Sequence, residues 1–133
     1  MGQTEPYTAK RIDEMEASFG GSFKRARAEL GVSSFGMQVI DLPPQNDLYP
    51  EHDHADDGQE EVYLALSGEG EIQIEGESLP LGEDTMVRVG PGVKRKVTTG
   101  SSPLRLLVLG GTPGAAYEPP PNSMLGTPDP MAG

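Results

Sequence analysis

Glycine and proline recur so often along this chain that long regular elements have little room. There are 18 Gly and 13 Pro in 133 residues, and Gly76, Gly82, Gly90, Gly92 and Gly100 separate one short apolar run from the next. Such punctuation favours many short strands joined by turns over a helical bundle. Within the intervals the side chains alternate. Ile72 and Ile74 are interleaved with Glu71, Gln73 and Glu75, the pattern of a strand with one face on a core and one in water. Strands are predicted over 23–30, 35–42, 61–67, 71–75, 78–81, 85–89, 93–98 and 104–109. The second of these stops at Pro43-Pro44, where a ladder must end.

Outside this frame the expectations are simpler. Residues 1–9 are expected to be loose. A short helix is predicted over 12–19, capped by Asp13 and stopped by Gly20-Gly21. Segment 23–30 fits two templates, because Phe23, Ala26 and Leu30 share a helical face while Ala26, Ala28 and Leu30 alternate with charged residues. The strand is preferred because Gly31 and Ser33-Ser34 turn directly into the next one. From Gly110 onward the prolines exclude regular structure, so the tail is expected to be extended over the surface or disordered, with Tyr117 as an anchor. The expected organisation is an N-terminal segment over 1–34, a strand-rich domain over 35–110 and an extended tail over 111–133.

Chemistry concentrates in one stretch. The chain's only two histidines, His52 and His54, stand two apart and so share a face of an extended backbone, and Glu61 follows at a strand entry. Asp56, Asp57 and Gly58 supply a turn that returns the chain to the same mouth. Two imidazoles and one carboxylate suit a divalent metal such as Zn, Fe, Mn or Ni and leave coordination positions open. An exposed, solvated loop without a ligand is the plainer alternative. A calcium-loop reading starting at Asp53 fails, since Ala55 and Leu64 fall where oxygen ligands are required.

The run from His52 through Glu61 to Gly68 resembles the first motif of the cupin superfamily, whose two His and one Glu hold a metal on adjoining strands. Gly82 to Val89 followed by Pro91-Gly92 is similar to the second motif, but Arg95 stands where the family has its fourth ligand, a histidine. The gap between His54 and Glu61 is about two residues longer than the family's commonest form, and Asn46 takes the place of its opening Gly. The resemblance covers about residues 35–110. It implies an all-β cupin double-stranded β-helix, a jelly-roll barrel with a short N-terminal helix and a Pro/Gly-rich C-terminal tail.

Arginine offers a metal no lone pair. Two readings therefore stand side by side. In one, His52, His54 and Glu61 bind a metal as a facial triad and Arg95 holds an anionic substrate, giving an oxygenase- or isomerase-like enzyme. In the other, Arg95 pairs with Glu61, no metal binds, and the barrel is a ligand-binding or sensing module; a structural dimer that has lost function is a third case. Tyr63 shares the parity of Glu61 and is expected to line the pocket, with Gln38 as a further pocket group. Met37 and Met86 are expected to be core filler. Arg88 is expected in solvent or an ion pair, and Lys94 and Lys96 point to solvent if Arg95 points inward.

Charge narrows the partners. A net charge of −11 repels nucleic-acid phosphates and anionic membrane surfaces. No apolar stretch approaches the ~20 residues of a membrane span, and no signal pattern opens the chain, so a cytoplasmic protein is expected. Absence of Cys excludes disulfides and thiolate ligands. Val62, Leu64 and Leu66 lie opposite the pocket-facing side of their strand, and something must cover them: the N-terminal segment or a second subunit of a homodimer.

Overall fold

The computed structural model describes residues 6–131. Nine short strands form: β1 (Ala17–Ser18), β2 (Phe23–Lys24), β3 (Gly36–Leu42), β4 (Glu60–Gly68), β5 (Gly70–Ile74), β6 (Glu77–Leu81), β7 (Met86–Val89), β8 (Arg95–Thr98) and β9 (Leu104–Gly111). One helix, α1 (Ala26–Leu30), and 3-10 turns at Ile12–Glu14 and Pro121–Ser123 complete the inventory of described elements. The strands make a six-stranded sheet, ordered β1-β2-β3-β9-β4-β7, and a three-stranded sheet, ordered β6-β5-β8. Every strand pair is antiparallel.

Alternation decides which face is buried. Ile40, Leu42, Tyr63, Ala65, Val87, Val89, Leu104, Leu106 and Val108 from the larger sheet meet Ile72, Leu81 and Val97 from the smaller one in a single core. This is the two-sheet arrangement of a jelly-roll barrel. The chain crosses from one sheet to the other at Gly68, which sits at φ 79°. A Cβ there would stand 2.0 Å from the Pro103 carbonyl oxygen, so no larger residue fits.

The N-terminal segment departs from both expectations for it. Only Phe23–Lys24 is strand, and Ala26–Leu30 is helix. The helical face wins because Ala26 and Leu30 pack with Met15, Ile12, Val39, Met37 and Leu107 on the outer side of β3 and β9. Gly31, at φ 80°, caps the helix by donating to the Ala28 and Arg27 carbonyls. Likewise the helix predicted over 12–19 reduces to a 3-10 turn followed by β1. Gly20 and Gly21, at φ 70° and 96°, form the turn of the β1–β2 hairpin rather than a helix stop.

Several finer expectations hold. Arg95 and Val97 are buried and Lys94 is exposed as expected, but Lys96 is not left in solvent: it is half-buried and turns back to donate to the Asp47 and Tyr49 carbonyls. Exposed Arg88 pairs with Glu60 at 3.7 Å. Met86, by contrast, is 73% exposed and fills no core. The N-terminal segment covers the outer face at β3 and β9, whereas Val62 and Leu64 remain half-buried and Leu66 exposed. Within the described part of the tail, the Asp129 carboxylate accepts from the Phe19 and Gly20 amides at 2.7 and 3.1 Å, and Glu16 accepts from Gly126 at 2.8 Å. The tail is thus docked on the N-terminal hairpin. Of the N-terminal residues expected to be loose, 1–5 lie outside the described residues.

Candidate metal centre

The His52 backbone pairs with Arg95 on β8 through hydrogen bonds of 3.0 and 2.9 Å, and the His54 amide donates to the Pro91 carbonyl at 2.7 Å. These bonds fix the histidine segment across the barrel mouth. Asp57 then turns the chain: its carboxylate accepts from the Gln59 amide at 3.1 Å, and Gly58 adopts φ 72°. Three residues later Glu61 enters β4 on the inward face. One ligand-type atom from each of His52, His54 and Glu61 lies within 4.8 Å of the others.

Both rings are held by their far nitrogens. His52 Nδ1 lies 3.1 Å from the Pro50 carbonyl oxygen, which only accepts, so this nitrogen carries the proton and the Nε2 lone pair faces the centre. His54 Nδ1 lies 3.2 Å from each Asp57 carboxylate oxygen, which orients its Nε2 the same way. His54 Nε2 stands 3.2 Å from Glu61 Oε2, and His52 Nε2 stands 3.9 Å from Glu61 Oε1. The buried His54 Nε2 has no hydrogen bond of acceptable geometry. Lone pairs converging on a carboxylate need a cation among them, either a proton or a metal. Ligands bound at ~2.1 Å stand roughly 3.0–3.5 Å apart around an octahedral or tetrahedral ion. The His54–Glu61 pair stands within that range and the His52–Glu61 pair about 0.4 Å beyond it, so the donor set fits such an ion after a small inward shift of His52, and carbonyl and carboxylate partners on the far nitrogens are the support that metal-bound imidazoles use.

Glu61 divides its two oxygens. Oε1 accepts from the Tyr63 hydroxyl at 2.7 Å and from Arg95 Nη1 at 2.8 Å, while Oε2 turns toward His54. Burial alone would raise this carboxyl. The His52 and His54 imidazoles facing it and the Tyr63 hydroxyl bonded to it outweigh that burial and hold the group well below the usual carboxylate range. The contact with Glu61, aided by Asp57, shifts His54 upward against its partial burial. Tyr63 is raised by burial and by its neighbours Tyr49 and Glu61, so its phenol stays protonated as a donor. Tyr49, also raised by burial, places its hydroxyl 3.4 Å from that of Tyr63.

Arg95 is fully buried, with its guanidinium committed to Glu61 and, through Nη2 at 2.7 Å, to the Gly90 carbonyl. Gln38 has inward parity, pairing with Val108 across from Tyr63. In the amide orientation that satisfies its surroundings, however, its nitrogen donates to the Lys24 and Met37 carbonyls at 2.9 and 3.1 Å. The structure therefore gathers His52, His54, Glu61, Tyr63 and Arg95, and directs the Gln38 amide toward the β2–β3 seam. Sequence reasoning missed Tyr49 and the Asp57 support. Asp57 was legible only as turn chemistry, and Tyr49 lies outside every motif.

No curated protein matches the chain. Among solved structures, a cupin protein from Bacteroides fragilis superposes with a TM-score of 0.69 at 23% identity, covering 88% of this chain and 93% of that one. A cupin-superfamily sugar phosphate isomerase from Silicibacter pomeroyi has a TM-score of 0.59 at 20% identity, covering 66% of this chain and 57% of its own. DMSP lyase from Ruegeria pomeroyi has a TM-score of 0.53 at 31% identity, over 63% of this chain and 42% of that one. The first two likenesses carry the fold alone. The family model described as "Cupin domain" matches residues 38–110, more than half of the chain, so the chain belongs to the cupin family.

Proposed function

We propose that His52, His54 and Glu61 hold one divalent metal ion and that the protein is a mononuclear metal-dependent cupin enzyme acting on a small anionic organic substrate. The observation that supports this most is the fixing of both Nδ1 atoms, which turns both Nε2 lone pairs toward Glu61. When bound, the metal would supply Lewis acidity at its open positions. In this reading Glu61 Oε2 and the two imidazoles are the ligands. Arg95 and Tyr63 position the carboxylate through Oε1, which leaves Oε2 free, and Arg95 neutralises charge without reaching substrate. The cupin fold serves several reactions, and structural neighbours carrying the names isomerase and lyase support an enzymatic reading without selecting the reaction.

A second reading rests on the Arg95–Glu61 ion pair at 2.8 Å. There the guanidinium serves as the resident cation, no metal binds, and the barrel is a ligand-binding module. Metal analysis of the purified protein, followed by chelation and calorimetric titration with Mn²⁺ and Zn²⁺, separates the two. The metal reading expects near-stoichiometric binding by wild type and none by a His52→Ala, His54→Ala variant. Equal behaviour of the two proteins would leave only the metal-free module.

A further inference from the structure

The strand register sets Gly36, Gly110 and Glu61 side by side in one row across β3, β9 and β4. Directly paired residues of antiparallel strands project to the same face. Gly36 and Gly110 therefore face the barrel mouth, as Glu61 does. Each glycine leaves a notch, and each notch is filled. A Cβ at Gly110 would meet Gln59 Oε1 at 2.7 Å and Glu61 Cγ at 3.2 Å, whereas a Cβ at Gly36 would meet the Tyr117 hydroxyl at 2.8 Å and its ring at 3.1 Å. The tail thus delivers a phenol to the Gly36 end of this row, two strand spacings or about 10 Å from the Glu61 backbone, and the Glu61 side chain, leaning onto Gly110, spans part of that interval.

The position is held from several directions. Arg27 lies 5.9 Å from the Tyr117 ring centroid, where the open edge of β3 beyond the short β2 admits both groups. Asp129 and the Glu16–Gly126 bond tie the tail down on the far side of Tyr117. Burial, together with the charges of Glu61 and Asp57, keeps the phenol above its usual value against the opposing effect of Arg27. It is therefore a proton-bearing donor. It engages no hydrogen-bond partner among the described residues, unlike Tyr63, whose hydroxyl is spent on Glu61.

We propose that Tyr117 is a ligand-contacting residue of the metal centre, its hydroxyl donating to a small anion bound at an open position beside Glu61. The inference rests on the metal reading above and extends it by naming the donor that selects anions. Gly36 is then a specificity position, because its missing side chain is what seats the ring.

Cobalt-loaded protein titrated with azide tests this by visible spectroscopy. Tyr117→Phe is expected to bind Co²⁺ as wild type does but azide about fivefold more weakly, the loss of one hydrogen bond. Gly36→Ala, which displaces the ring, is expected to weaken azide similarly and to add nothing in the Tyr117→Phe background. Tyr7→Phe, at a position 78% exposed, is expected to change neither. Wild-type azide affinity in Tyr117→Phe would overturn the proposal, as would a loss of Co²⁺ affinity, which would make Tyr117 a support of the metal. A wild type that takes up no Co²⁺ would instead overturn the metal reading itself, and the inference with it.

Discussion

Glu61 carries more of this site than either histidine, because its two oxygens do different jobs. Oε1 closes the charge of an arginine sealed inside the barrel, and Oε2 is left to the imidazoles. Glu61→Gln should therefore cost stability as well as metal. Removing one partner of a buried ion pair strands the other, so a loss of about 3–5 kcal/mol is expected in urea unfolding of the metal-free protein. The histidines differ. His52 and His54 side chains retain 31% and 20% exposure, and their ring contacts run to a nearby carbonyl and to Asp57. The His52→Ala, His54→Ala variant should change apo stability by less than about 1 kcal/mol while abolishing metal uptake, measured by the same unfolding curves and by titration. The histidine pair and Glu61 were legible in the sequence because parity and turn residues place them together. Arg95's commitment to Gly90, the arrival of Tyr49 and the place at Gly36 where the expected anchor Tyr117 lands were not, since those contacts come from loops and a tail with no period to read.

At the scale of elements, the glycines that looked like mere punctuation have separate duties. Gly68 is where the chain changes sheets, and its left-handed backbone faces the Pro103 carbonyl at a distance no Cβ can share. Gly68→Ala should lower stability by at least about 2 kcal/mol, read as a fall in Tm, whereas Gly82→Ala, with open space around its Cβ, should be nearly neutral. The strands with clean alternation were readable to within a residue or two. The N-terminal elements were not, because 23–30 satisfies a strand and a helix pattern equally. The choice is made by the apolar outer surface of β3 and β9, onto which α1 lays Ala26 and Leu30. Gly20-Gly21 misled in the same way, since a helix stop and a hairpin turn ask for the same residues.

For the molecule as a whole, long-range charge pairs join distant parts of the chain. Arg105 on β9 donates to Asp41 on β3 through Nε at 2.8 Å and Nη2 at 3.0 Å, and also reaches Asp13 in the first 3-10 turn. Burial would raise Asp41, but hydrogen bonds from Arg105 and Lys24 prevail and lower it from 3.8. A lowered carboxylate adds stability that is complete above its unfolded value and lost as pH falls through its folded one. The gap between wild type and Asp41→Asn should therefore be full at neutral pH, about 1 kcal/mol after solvent screening, and shrink below pH 3.8. A gap that widened in acid would contradict the assignment. No helix among the described residues is long and apolar enough to cross a membrane. The half-buried Val62 and Leu64 and exposed Leu66 leave part of the outer sheet without the cover that the N-terminal segment gives elsewhere.

The most direct test of the account is an anomalous-scattering map from crystals grown with Mn²⁺. A single peak bonded to His52 Nε2, His54 Nε2 and Glu61 Oε2, with Arg95 still on Oε1, is the predicted result. Density at Glu61 with no anomalous peak under saturating Mn²⁺, or a peak elsewhere on the acidic surface, would contradict it.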